Sequence, residues 1–147
     1  MILGRPAEFA YPRVGIGVCV FKEGRVPLGK RKGSHGAALY AFPGGSLEYG
    51  ETIAEGAARE VFEEAGIVIT NIRFICIQDL LSFLPKHYVD IGVAADWASG
   101  DPVVREPEKC EEWAWYDRHS IPEPLFPTIP RYFEAMATGK NYFGPSR

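Results

Sequence analysis

The chain predicts a single layered α/β domain, and three observations carry that reading. Strand-like apolar stretches recur along most of its length, one strongly signposted helix interrupts them near the middle, and a second amphipathic helix closes the domain. At 147 residues the sequence is one ordinary domain, and 46% hydrophobic with 13% aromatic residues is globular composition. The reading treats residues 1–147 as that domain, with an ordered core over about 13–137.

Residues 1 to about 12 read as a loosely held arm, punctuated by Pro6 and Pro12. Val14 to Phe21 alternates small with β-branched residues, and Gly15 and Gly17 suggest close backbone approach on one face of that strand. Arg25 to Gly29 contains Pro27 and is expected to be an edge or terminating strand. Lys30-Arg31-Lys32-Gly33-Ser34-His35-Gly36 is a basic glycine loop, with Arg31 the first candidate for contacting phosphate and His35 a loop residue. Leu39 to Phe42 is expected to be a strand leading to Pro43-Gly44-Gly45.

The helix that follows is plainly written. Thr52 and Glu55 form a Ser/Thr-x-x-Glu capping box, and Gly66 ends the helix where a left-handed residue is needed. Ile53 and Val61 are expected to face a core. Glu60, Glu63 and Glu64 stand at i, i+3 and i+4, and like charges at that spacing destabilise a helix by roughly 0.2–0.5 kcal/mol per pair. A hard divalent cation reverses that sign, because Mg²⁺ takes oxygen ligands and bridges carboxylates to substrate phosphates. Arg59 can pair with Glu55 and Glu63 at i−4 and i+4.

Beyond the helix, Asn71 to Gln78 alternates as a strand, Leu80 to Lys86 reads as a connection flanking a ligand pocket, and His87 to Trp97 reads as a central strand. Asp90 lies inside that last strand. Such a carboxylate usually faces outward, but pointing into a pocket it could recognise a base edge. Glu106 to Asp117 is an acidic loop running into an aromatic strand, Thr128 to Ala137 is a helix with Ile129, Tyr132, Phe133 and Met136 on one side, and the last ten residues read as frayed.

The net charge of −3 argues against general affinity for nucleic-acid backbones or anionic membranes, so the expected partner is a small molecule. Cys19, Cys76 and Cys110 are odd in number and widely spaced, which fits buried thiols in a reducing compartment. With no apolar run long enough to span a bilayer, the expected location is cytoplasmic.

Residues 45 to 67 follow the pattern Gly, five residues, Glu, seven residues, Arg-Glu-aliphatic-x-Glu-Glu-x-Gly-aliphatic at every fixed position, a match expected by chance on the order of once in 10⁹ starts. This stretch resembles the Nudix box. The resemblance implies the Nudix fold, an α/β/α sandwich with a central mixed sheet and a loop-helix-loop catalytic motif. It also implies a hydrolase of nucleoside diphosphates linked to another moiety, dependent on Mg²⁺ with Mn²⁺ as substitute. It implies that Glu60, Glu63, Glu64 and the Gly45 carbonyl are metal ligands, that Arg59 orients them, and that Glu51 supports them.

Leu28 to Ser34, Phe42 to Gly45, Leu47 to Glu51, Glu106 to Glu111 and Trp113 to Tyr116 are similar to the MutT-like subgroup that contains a plant cytosolic Nudix hydrolase and the human MutT-homologue nucleotide diphosphatase. That implies cleavage of nucleoside triphosphates, including oxidised or methylated ones, to monophosphate and pyrophosphate by a homodimer. It makes Glu108 a further metal ligand or water-activating base. Glu63, Glu64 and Glu108 all stand as candidates for the proton acceptor, and Gly44, Leu47, Phe126 and Leu80 to Leu84 are the candidate substrate contacts. Subgroup members often carry histidine where this chain has Ser46. ADP-ribose, an isoprenoid diphosphate, or a non-catalytic nucleotide-sensing domain are the alternative readings.

Overall fold

The computed structural model describes residues 11–33 and 36–145, so the arm before Tyr11 and the loop residues Ser34 and His35 lie outside the described residues. Among the described residues eight strands and two helices are formed in the order β1 (Arg13–Phe21), β2 (Arg25–Arg31), β3 (Tyr40–Ala41), β4 (Gly44–Ser46), α1 (Ile53–Ala65), β5 (Val68–Leu80), β6 (Tyr88–Ser99), β7 (Cys110–Asp117), α2 (Ile129–Thr138) and β8 (Tyr142–Phe143). A five-stranded sheet runs β4-β1-β6-β5-β8, and a three-stranded sheet runs β3-β2-β7. The larger sheet is mixed: β1 is parallel to β6 and β5 to β8, whereas β1 with β4 and β5 with β6 are antiparallel.

Alternation along β1 divides the interior into two layers. Ile16, Val18 and Val20 pack with Ala57, Val61 and Ala65 of α1, while Cys19 on the opposite face packs with Ile129, Tyr132 and Ala135 of α2. The expected helix–sheet–helix sandwich is therefore present. Cys19, Cys76 and Cys110 are all free and buried. Among the described residues no helix is long and apolar enough to cross a membrane.

Several expectations are corrected. The Arg25 stretch is not an edge: β2 lies between β3 and β7, and Pro27 is tolerated because β3 pairs only with Gly29 and Lys30, leaving Pro27 opposite Trp115 with a neighbour on one side. The strand expected over Leu39 to Phe42 is reduced to two residues, because the chain crosses to the other sheet and pairs Gly44 to Ser46 with β1. Ile53 is 39% exposed at the helix start rather than in a core. The chain end is not frayed up to Phe143, which is 1% exposed and pairs beside Gln78.

Both caps of α1 form as expected. The Thr52 side chain accepts from the Glu55 amide at 3.1 Å, and Glu55 returns the bond to the Thr52 amide at 2.9 Å. Gly66 has φ of +72° and donates to the Phe62 carbonyl, and a Cβ there would lie 3.2 Å from Val103 Cγ2. Gly66→Ala is expected to cost about 1–2 kcal/mol, read as a fall of a few degrees in Tm.

Candidate active site

Helix α1 starts at its capping box, and from that start Glu60 and Glu64 emerge one turn apart beside the glycines of β4. The fit is close. A Cβ on Gly45 would lie 2.4 Å from the Glu60 carboxyl carbon and from both its oxygens, so the carboxylate occupies the space a side chain would take. Glu64 Oε2 accepts from the Gly44 amide at 3.3 Å. Burial, aggravated by the neighbouring Glu60, pushes the Glu64 carboxyl up to about 8. Burial also raises Glu60, against the opposing pull of Arg59.

Arg59 holds this side of the site. Its Nε donates to Glu51 Oε2 at 2.9 Å and its Nη2 to Glu51 Oε1 at 2.5 Å and to the Ser46 carbonyl at 3.1 Å. Its Nη1 reaches Glu60 at 2.8 Å and Glu63 at 3.3 Å. The expected pairing with Glu55 is replaced by Glu51, because Glu55 is committed to the capping box and the loop before α1 folds Glu51 back against the arginine. Hydrogen bonds from Arg59 hold the Glu51 carboxyl down at about 2, and the same contacts raise Arg59 above its ordinary value. Glu63 differs from its two neighbours. Its side chain is 53% exposed, is tied to Arg59, and lies off the cavity wall that Glu60 and Glu64 share.

Those two carboxylates open on a cavity of about 530 Å³. Gly44, Gly45, Arg31, Glu108 and Phe126 line it, together with Glu106, Lys109, Tyr88, Asp90 and Tyr132. Burial lowers the Arg31 guanidinium, opposed by the facing Glu64, and Arg31 lies 4.8 Å over the Phe126 ring. Phe126 stacks on Phe83 at 5.3 Å and is only 9% exposed, so it forms a wall with little open surface. Leu47 lies outside the lining; it packs onto the α1 side of the core beside Gly56.

Asp90, which the sequence left open between an outward-facing and a pocket-facing position, lines the cavity. It is 7% exposed, accepts a 2.6 Å hydrogen bond from the Tyr132 hydroxyl, and is pushed up to about 7 by burial, with Tyr132 opposing. The signal that finds it is Gly15 and Gly17: β1 without side chains on that face leaves space that Asp90, opposite Gly15, and Tyr132 enter. A carboxyl raised in the folded state binds more protons than its unfolded counterpart, so its contribution to stability falls as pH rises from about 4 to about 7. Asp90→Asn, which keeps an acceptor for Tyr132, is expected to match wild type near pH 4. By pH 8 it should exceed wild type by roughly 2–4 kcal/mol, measured by denaturation at the two pH values.

Whether these residues fit a metal is a question of donors. Among the described residues no group of three His, Cys, Asp or Glu side chains is placed to enclose an ion. A hard Mg²⁺-like cation does not need one, since it uses one or two carboxylates and fills its remaining positions with water and substrate oxygens. Glu60 and Glu64 supply those carboxylates, and Gly44 and Gly45 line the cavity beside them. Two partly buried carboxylates, both raised by burial and Glu64 further by Glu60, are the anionic surplus such a cation would offset.

Comparison with known proteins gives consistent matches. The model of the NUDIX domain family matches residues 11–136. The NAD-capped RNA hydrolase NudC of Edwardsiella ictaluri is 30% identical over 124 residues, covering 82% of this chain and 46% of that protein. The ADP-ribose pyrophosphatase of Methanocaldococcus jannaschii is 25% identical over 119 residues, covering 80% and 69% respectively. The crystal structure of a MutT NUDIX hydrolase from Burkholderia pseudomallei superposes with a TM-score of 0.79 at 31% identity, covering 85% of this chain and 98% of that one. The chain thus spans less than half the length of the NudC relative, and neither curated relative is named for the triphosphate activity of the subgroup resemblance.

Proposed function

The chain belongs to the Nudix hydrolase family, and from that premise we propose that it hydrolyses a phosphoanhydride bond in a nucleoside diphosphate bearing a further group. The first reading is a (deoxy)nucleoside triphosphate cleaved to monophosphate and pyrophosphate. The observation that carries it is the convergence of Glu60 and Glu64 on Gly44 and Gly45 at the mouth of a nucleotide-sized cavity.

A divalent cation, Mg²⁺ or Mn²⁺ by the hardness of the donors, would when bound by Glu60, Glu64 and the Gly45 carbonyl neutralise phosphate charge and acidify the attacking water. Everything else is the work of the chain. Arg59 and Glu51 keep the Glu60 carboxyl seated against Gly45. Arg31, held between Glu64 and Phe126 in a partly dry setting, offers a permanent cation to phosphate oxygens. Glu108, on the cavity wall, is the carboxylate we favour for accepting the proton of water, since Glu63 is tied to Arg59 away from that wall.

The second reading, an ADP-ribose or NAD-type dinucleotide as substrate, is favoured by the names of the curated relatives. Both are tested by chromatographic product analysis with Mg²⁺ on the nucleoside triphosphates, their oxidised forms, ADP-ribose and NADH, with Glu60→Gln as control. Monophosphate plus pyrophosphate from triphosphates supports the first reading. Turnover confined to ADP-ribose or NADH moves the assignment to the second, and none with any of them contradicts the hydrolase proposal.

A further inference from the structure

The cavity contains a buried acid that hydrolysis does not use. Asp90 stands on β6 opposite Gly15 of β1, and the two glycines of β1 leave its side chain room on the cavity side. Its Oδ2 accepts from Tyr132, whose ring fills the space over Gly17 and Gly92 and fixes the carboxyl plane. Oδ1 has no hydrogen-bond partner among the described residues. It lies 3.8 Å from the point a Cβ on Gly15 would occupy, and the Gly45 carbonyl oxygen lies 4.0 Å from that same point. One nucleotide can therefore touch both the Gly45 end and Asp90.

We infer that Asp90 determines base specificity by accepting hydrogen bonds from a guanine-type edge, the one that presents two adjacent N–H donors. This rests on the nucleotide reading above. The choice of edge follows from the donor and acceptor inventory. Guanine offers N1–H beside a 2-amino group, and both can reach one carboxylate. Adenine and cytosine set a single amino donor beside a ring-nitrogen lone pair, which a carboxylate repels, and uracil flanks its N–H with two carbonyls. A buried acceptor left unpaired by the wrong base penalises that base more than an exposed one would. A carboxyl raised to about 7 by burial gains from such donors, because they stabilise its charged form. Tyr88, on the same side of β6 and with Cδ1 3.5 Å from the Gly15 Cβ position, supplies ring surface next to that edge.

The test is calorimetric titration of the full chain with GMP and with AMP, which needs no turnover. Wild type is expected to bind GMP about 10-fold or more tighter than AMP, as a two-donor base contact does. Asp90→Asn, whose amide donates as well as accepts, should bring the ratio to about one or reverse it. Asp90→Ser, a shorter side chain without the carboxylate, should lose the preference without gaining adenine. Equal binding of GMP and AMP by wild type, or equal weakening of both by every variant that folds by circular dichroism, would overturn the inference. Hydrolysis without base preference leaves the proposed function standing and sinks this inference. Base discrimination without hydrolysis does the reverse.

Discussion

Glu64→Gln is expected to lower kcat/KM by about 10³-fold while leaving the protein at least as stable as wild type. The two halves have one cause. Glu64 is a partly buried carboxylate facing Glu60, and its carboxyl is raised to about 8 because the folded protein disfavours its charge. With the folded value above the unfolded one, the residue costs stability increasingly as pH rises from about 4.5 to about 8. Glutamine keeps the size and the acceptor for the Gly44 amide but carries no charge, so at pH 7.5 without metal the Tm should be equal or higher. A site kept at a cost in stability and lost with a gain is the signature of function. Steady-state kinetics beside thermal melts check both halves, and a variant that is less stable and fully active would contradict them.

The neighbouring glycines separate activity from folding. Gly45→Ala puts a methyl group where the Glu60 carboxylate sits, and the atoms it meets are the far end of a side chain that can swing away. The expected result is a loss in kcat/KM of about 10²-fold or more with stability within about 1 kcal/mol of wild type. Gly44→Ala meets backbone: its Cβ would lie 2.0 Å from the Ile16 carbonyl oxygen and 3.0 Å from the Gly17 Cα. That change should force β4 off β1 and cost about 3 kcal/mol or more. Melting curves and initial rates on the two variants give the comparison, and equal stability losses would mean that Gly45 is a structural glycine.

The centre of this site was legible because its determinants are local. Capping box, terminal glycine and the spacing of Glu60 and Glu64 are all written within one helix, and the chain folds there as read. What lies beyond a helix turn was read less well. Counting i−4 and i+4 paired Arg59 with Glu55 and Glu63; the Glu63 pair forms, but the place of Glu55 is taken by Glu51, from a loop whose return no periodicity announces. Glu63 does stand beside Glu60, both being held by Arg59 Nη1, but it is the more exposed of the two and lies outside the cavity lining that Glu60 and Glu64 share. Strand β8 was missed because two residues carry no pattern, and it is the burial of Phe143 beside β5 that holds them. Asp90 was left open between an outward-facing and a pocket-facing position, because a strand carboxylate normally faces outward. The glycines of β1 that make room for it are 73 or more positions earlier in the chain.

The most direct test of the carboxylate centre is titration of Mn²⁺ into wild type, Glu60→Gln, Glu64→Gln and Glu112→Gln without nucleotide, followed by electron paramagnetic resonance of the free ion. Wild type and the Glu112 variant, altered outside the cavity, should bind alike, and each of the other two should bind at least 10-fold more weakly. Unchanged affinity in both α1 variants would contradict the assignment of Glu60 and Glu64 as the centre of the site.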